Sequence, residues 1–467
     1  MSEDQLEEAR KTSDGEEGTS AHIGLEDGLV KEVRHALAEN NEALVAALCA
    51  PLHPADLADL LQLVDHEDRQ FIVNALGPAF DPDTLPYLDD GVREELFDSL
   101  KPEDASKLIS ELETDDAIDV LVDLDDDQKD AILASLPHPD RALLEQGLAY
   151  PEDSAGRLMQ RDTVMVPDYW VVGQTIDYLR ATPDLPDEFY DIYIIDSQFR
   201  PVGSVPLSNV LRNKRNVPMS DLKMKELHLV PATMDQEEVA FLFRQYGLVS
   251  APVVDESNRL LGVITIDDAV DVMHEEAEED ILKLGGVSET DTFRSPVRTL
   301  IQRLPWLMIN LVTAVVASMV IAQFDEAIAR VVALAVLMPI VASMGGNAGT
   351  QTLTVTVRSL AVRELTTANA WRMLTKEFLV SVMNGAIFVV IGFALALAWF
   401  GDWTLAWVFS AAMLINLIAA GLAGIAIPLV IDRFGSDPAV SSGVFLTTVT
   451  DVVGFFSFLG LAVYVLN

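Results

Sequence analysis

Asp451 stands inside an apolar run, Val444 to Leu466, that is long enough to lie in a membrane. A charge in hydrocarbon costs about 3 kcal/mol or more, so an acid kept at that depth is a candidate for function. At helical spacing Thr447 and Thr448 share a face with Asp451. A carboxylate with neighbouring hydroxyls offers only oxygen ligands, the donor set of a hard divalent cation. Mg²⁺ gives up its waters reluctantly, so a carboxylate reaching it through water suits that ion better than a dry cage. The structural alternative is an Asp paired with another helix, but no base lies inside an apolar run to neutralise it. A second group of residues points the same way. The segment Pro339 to Gln351 holds a proline and three glycines beside Asn347, Thr350 and Gln351. Proline and glycine predict a broken or thinned helix, whose freed backbone must face protein or a water-filled path. The alternative is close helix packing through small residues. Gly345, Gly346, Asn347 and Gln351, with Thr447 and Thr448, are the expected pore lining.

The remaining acids lie almost wholly elsewhere. The 467 residues carry a formal charge of -42, whereas residues 301–467 hold eight acids against seven bases, leaving -41 to the first 300. Such a body repels nucleic acid and anionic lipid and attracts polyvalent cations. Adaptation to a saline habitat is the competing explanation. The densest run is Asp271, Glu275, Glu276, Glu278, Glu279 and Asp280, followed directly by the approach to the first apolar segment. Like charges at helical spacing need something to neutralise them, although a solvated face is the commoner fate of a charge run. Cys49 is the single cysteine, which excludes a disulfide framework or a thiolate metal site. No nucleophile–base pair or phosphate loop stands out, so an enzyme is not expected.

These residues need elements to position them. Five apolar segments, Trp306 to Gln323, Val331 to Arg358, Phe378 to Phe400, Thr404 to Ile431 and Val440 to Leu466, each suffice to cross about 30 Å of hydrocarbon as a helix. Arg358, Arg363, Arg372, Lys376 and Arg433 all fall on one side, which predicts a cytoplasmic N-terminus and an external C-terminus. Upstream, residues 101–136 repeat with a period of twelve, each copy opening on capping residues and closing on Leu, as short stacked helices do. A second repeat pairs Ile192 to Leu211 with Ala251 to Val270, each reading strand, turn, strand, then a helix expected to be capped by Ser208 or Asp267. Two such units look like a tandem pair of CBS modules. The polar, acidic stretch at the N-terminus reads as a disordered tail rather than a signal peptide.

This order of parts resembles the MgtE family of magnesium channels, across essentially everything after the first forty residues. Pro151 to Met159, Asp235 to Ala240, Ile266 to Val272, Glu279 to Gly285 and Pro339 to Gln351 carry the likeness. The resemblance implies a multidomain membrane protein: a disordered tail at 1–26, an α-helical superhelical N domain at 27–150, tandem α/β CBS domains at 151–276, a connecting helix at 277–303, and five transmembrane helices at 304–467. It further implies a homodimer in a bacterial plasma membrane whose pore runs between two membrane halves, with Asp451 holding hydrated Mg²⁺ and Asp437 at the cytoplasmic mouth. Asp115 and Asp119 would bridge through Mg²⁺ to Asp268, Asp271, Glu276, Glu279 and Asp280, with Asp235 and Glu237 as further sensor ligands. Gly247 stands where some relatives have an acid, which weakens that sensor site. ATP at the CBS pair is left undecided. An ion-coupled Mg²⁺ transporter and a non-conducting membrane-anchored sensor are the alternatives to a channel.

Overall fold

The computed structural model describes residues 24–467 except 184, 187, 188, 225, 288–295, 367 and 467. The expected disordered tail lies outside the described residues as far as residue 23. The chain divides into two units, Met1–Val270 and Asp271–Asn467.

The first unit opens with α1 (Asp27–Ala38), α2 (Glu42–Cys49), α3 (Pro54–Leu63), α4 (His66–Leu76) and α5 (Asp90–Ser99). The twelve-residue repeat then gives α6 (Pro102–Glu111), α7 (Thr114–Val122) and α8 (Asp126–Ser135), followed by α9 (His138–Leu148). Each closing leucine sits at a turn. Leu112 and Leu136 are extended C-cap residues, while Leu124 and Leu136 are buried. The leucines therefore end one helix and anchor the next. One core of Leu60, Leu61, Ile72, Leu85, Ile109, Ile118 and Leu121 runs through the stack.

Two copies of one α/β module follow. α10 (Ala155–Leu158) comes first in the chain but packs in the core of the second module, and the first comprises β1 (Met165–Pro167), α11 (Val172–Ala181), β2 (Asp191–Ile195), β3 (Pro201–Pro206) and α12 (Leu207–Arg212). The second comprises β4 (Val230–Pro231), α13 (Gln236–Tyr246), β5 (Ser250–Val254), β6 (Leu260–Thr265) and α14 (Ile266–Leu284). Each forms a three-stranded sheet with a parallel first pair and an antiparallel second pair. The matching aspartates have matching work: Asp196 Oδ1 accepts from the N–H groups of Gln198 and Arg200, and Asp255 Oδ1 from those of Ser257 and Arg259. Both turns break register at the same strand position. The two sheets are tied by Tyr193 Oη and Ser250 Oγ at 2.8 Å, with Ser250 Oγ donating to Asp191 Oδ2 at 2.8 Å.

The expected caps are corrected. Ser208 lies within α12, whose N-cap is Pro206. At α14 the cap residue is Thr265, to whose backbone N–H the Asp268 carboxylate reaches back at 3.0 Å. A residue three beyond the cap is better placed for that bond than Asp267.

The second unit begins within α14 and continues with α15 (Pro296–Ala322), α16 (Asp325–Arg330), α17 (Ala333–Ala361), α18 (Ala370–Phe400), α19 (Trp403–Arg433) and α20 (Pro438–Leu466). Among the described residues five helices are long and apolar enough to cross a membrane. α19 packs on α17, α18 and α20, whereas the principal packing of α15 is on α20. Two expectations fail here. The connecting helix at 277–303 is not one helix. α14 stops at Leu284, where Gly286 takes φ +73° and the Val287 N–H bonds back to the Leu282 carbonyl, a left-handed stop that glycine favours. Pro296 to Arg303 instead begin the first spanning helix. Nor does Pro339 break the second span, for α17 runs unbroken over 29 residues.

Candidate functional site

α17 has two faces. Leu334, Leu337, Val341, Gly345, Gly349, Leu353 and Val357 are buried against the bundle. Asn347, Thr350, Gln351 and Thr354, at helical spacing of one face, are exposed. Gly345, expected on the pore wall, is corrected to the buried face, because the Asn416 side chain fills the place a Cβ would occupy. Gly349 likewise meets Leu446, so close packing explains these two glycines, while Gly346 faces open space. On α20, Asp451 and Thr448 are half-buried and Thr447 is exposed. Thr447 and Thr448 donate to the carbonyls of Gly443 and Val444 at 2.9 and 2.7 Å, leaving hydroxyl lone pairs to accept. Glu377 was overlooked as an acid within a span. It is half-buried, with Thr352 Oγ1 at 3.3 Å from its Oε2.

Where α14 ends, it meets the start of α20. Lys283 Nζ donates to Asp437 Oδ2 at 2.8 Å and pairs with Glu279 at 2.5 Å. Burial works to lower the Lys283 ammonium, but its hydrogen bonds to Asp437 and Glu279 outweigh that and hold it above its ordinary value. Burial, then the charge of Asp437, raises the Asp280 carboxyl. Asp437 also caps α20 by accepting from Ala439 N–H at 2.8 Å. Leu284 packs with Leu353, Val357, Ala439 and Leu446. Lys283 was not anticipated, although a base four residues after Glu279 is a readable signal.

In the first unit, Asp115 of α7 and Asp268 of α14 are brought together. Burial, then the Asp268 charge, pushes the Asp115 carboxyl well above its ordinary value, and Asp116 and Glu113 add to it. Asp116 is pushed up to about 7 by burial and then by Asp268. Burial likewise carries Asp268 up to about 7, against the Thr265 hydrogen bond. Asp115 is 8% exposed and its Oδ2 has no hydrogen-bond partner. Acids crowded in this way around one unpaired buried oxygen fit a hard cation held by oxygen, partly through water. Among the described residues no three His, Cys, Asp or Glu side chains stand ready to enclose a metal directly.

Among the other predicted ligands, Asp119 adds its charge to that on Asp116. Asp119 is engaged by Arg93, whose buried guanidinium reaches it at 2.9 Å and Asp123 at 2.7 Å. Asp235 Oδ1 caps α13 through Glu237 N–H at 2.9 Å, and Glu237 is exposed in the first turn. Asp271 is exposed and Glu276 half-buried along α14. Gly247 takes φ +62° as the left-handed C-cap of α13, a backbone reason for glycine there.

Comparison with known proteins accords with this layout. Residues 338–461 match the family model "MgtE: Divalent cation transporter", 52–153 "MgtE intracellular N domain" and 219–275 "CBS domain". The magnesium transporter MgtE of Enterococcus faecalis (strain ATCC 700802 / V583) is 33% identical over 418 residues, 88% of this chain and 91% of the relative. That of Bacillus subtilis (strain 168) is 32% identical over 314 residues, 67% and 70% of the two chains. Among solved structures, the cytosolic domain of the Mg²⁺ channel MgtE in complex with ATP is 29% identical, covering 52% of this chain and 99% of that one, at a TM-score of 0.49. The chain, with its helical domain, paired CBS modules and five apolar helices, belongs to the MgtE family of divalent cation transporters.

Proposed function

We propose that this protein is a Mg²⁺ channel of a bacterial plasma membrane, working as a homodimer and closed from the cytoplasm by Mg²⁺ itself. The observation that carries this reading is the exposed polar row Asn347, Thr350, Gln351 and Thr354 on a spanning helix packed against the helix of Asp451. Polar groups at membrane depth need protein or water beside them. A second copy presenting the same row would supply a wet path between the two. Asp451 then holds hydrated Mg²⁺ through its waters, with Gly346, Asn347, Gln351, Thr447 and Thr448 along the wall. The basic loops Arg358 to Lys376 and Arg433 support a cytoplasmic acidic body and an external C-terminus.

Closure follows from electrostatics. Without Mg²⁺, Asp115, Asp116 and Asp268 repel, and the acidic domains stay apart. When cytosolic Mg²⁺ rises, ions shared between helical-domain and CBS carboxylates draw them together. Asp119, Asp235, Glu237, Asp271, Glu276, Glu279 and Asp280 are the further acids assigned to this sensor. The end of α14, held at Asp437, transmits the change to α20. Ions that bind the closed state more tightly shift the equilibrium by that difference.

The test is Mg²⁺ current in inside-out patches while cytoplasmic-face Mg²⁺ rises from micromolar to tens of millimolar. Currents should fall steeply, and Asp451→Ala should abolish them. Persistence at high Mg²⁺ would remove the sensor. Absence of current with uptake in liposomes would favour a coupled transporter, a reading for which Glu377 offers the second titratable group within a span.

A further inference from the structure

Asn416 lies midway along α19 and is fully buried. Its Nδ2 donates to the Val341 carbonyl of α17 at 2.8 Å, whereas its Oδ1 is buried without a partner. The opposite amide orientation would set oxygen against oxygen, so the donor must face Val341. Two glycines clasp the same amide. A Cβ on Gly345 of α17 would lie 2.2 Å from Nδ2, and one on Gly454 of α20 would lie 2.8 Å from it. Gly454 stands almost one helical turn beyond Asp451. Leu would fill a similar volume without orphaning an oxygen, and an unmet carbonyl in a dry interior is destabilising. Packing alone therefore gives no reason for an amide here. Its distinguishing act is to hold α17 at a fixed height and to keep α17 and α20 one amide apart.

We propose that Asn416 is a positioning residue for permeation, setting the separation of α17 and α20 and thereby the reach of Asp451 into the ion path. This rests on reading Asp451 as a pore carboxylate. The experiment uses the full chain in liposomes, following Mg²⁺ and Ca²⁺ flux separately. Asn416→Leu should elute as the parent does and unfold no earlier, yet change the Mg²⁺ to Ca²⁺ flux ratio by at least about threefold, a modest coupling for groups in contact. Gly345→Ala should lose most flux, and Asn416→Ala in that background should restore part of it by removing the atoms the new methyl strikes.

An unchanged flux ratio in folded Asn416→Leu overturns the proposal. So does a Gly345→Ala flux that is equal with and without Asn416→Ala, and this pair decides alone if Asn416→Leu fails to fold. Asp451→Ala separates the two readings. If it conducts like the parent, the pore reading falls and this proposal with it. If it is silent while the Asn416 variants behave as the parent, only the positioning role is lost.

Discussion

Asp115, Asp116 and Asp268 hold their protons more tightly in the folded chain than in an unfolded one. Between the ordinary 3.8 and about 7 the folded state binds the more protons, so their effect is a stability that falls as pH rises through this window. Above it Asp116 and Asp268 are both charged and their share of the penalty is complete. Without divalent cation, thermal unfolding should therefore come at lower temperature near about pH 8 than near about pH 5, with Mg²⁺ restoring the difference. Asp115→Asn should raise the metal-free Tm at the higher pH by about 2–4 °C and weaken the Mg²⁺ effect. A flat profile in differential scanning fluorimetry, or a lower Tm in the variant, would contradict the assignment of these acids as a cation sensor.

At the scale of elements, the end of α14 is docked by two dissimilar contacts, Leu284 among Leu353, Val357, Ala439 and Leu446, and Lys283 on Asp437 and Glu279. Lys283 serves as a tethered cation where Glu279, Asp280 and Asp437 would otherwise repel. Lys283→Met leaves Arg358 as the remaining base acting on Asp280 and loosens the helix end from α20. A partly exposed ion pair contributes about 1 kcal/mol, so amide exchange around Leu282 to Val287 should quicken about fivefold without Mg²⁺ and slow again when Mg²⁺ is added. Exchange that matches the parent at low Mg²⁺ would show that Leu284 alone holds the contact. Gly286 explains why the element stops there, since its positive φ and the Trp306 ring beside it both exclude a side chain.

For the whole molecule, the formal charge of -42 is carried almost entirely before residue 301. Self-repulsion of such a body is relieved by divalent ions far more than by monovalent ones at equal ionic strength, if the ions bridge carboxylates. Light scattering of the detergent-solubilised protein should give twice the 51.0 kDa chain mass. Small-angle scattering should show the radius of gyration falling as Mg²⁺ rises, with Na⁺ at matched ionic strength having less effect. A chain of single mass would remove the shared pore, and equal contraction with Na⁺ would mark the acidity as habitat chemistry.

Sequence alone determined the five spans, the short helices of the twelve-residue repeat, the paired sheets and the isolation of Asp451, because hydropathy, periodicity and end signals are sums over neighbouring residues. It misread Pro339 and its glycines as a broken helix because the packing that makes glycine useful comes from another segment, Asn416 lying 75 residues from Val341. Asn416 was still visible as an amide in an apolar run, but its partner was not. The same holds for Lys283 and Asp437, 154 residues apart, and for Arg93, which takes up Asp119. Which acids are neutralised within the chain and which are left crowded, as Asp115 is beside Asp268, depends on distances that only the folded chain sets, because charges act through space rather than along the backbone.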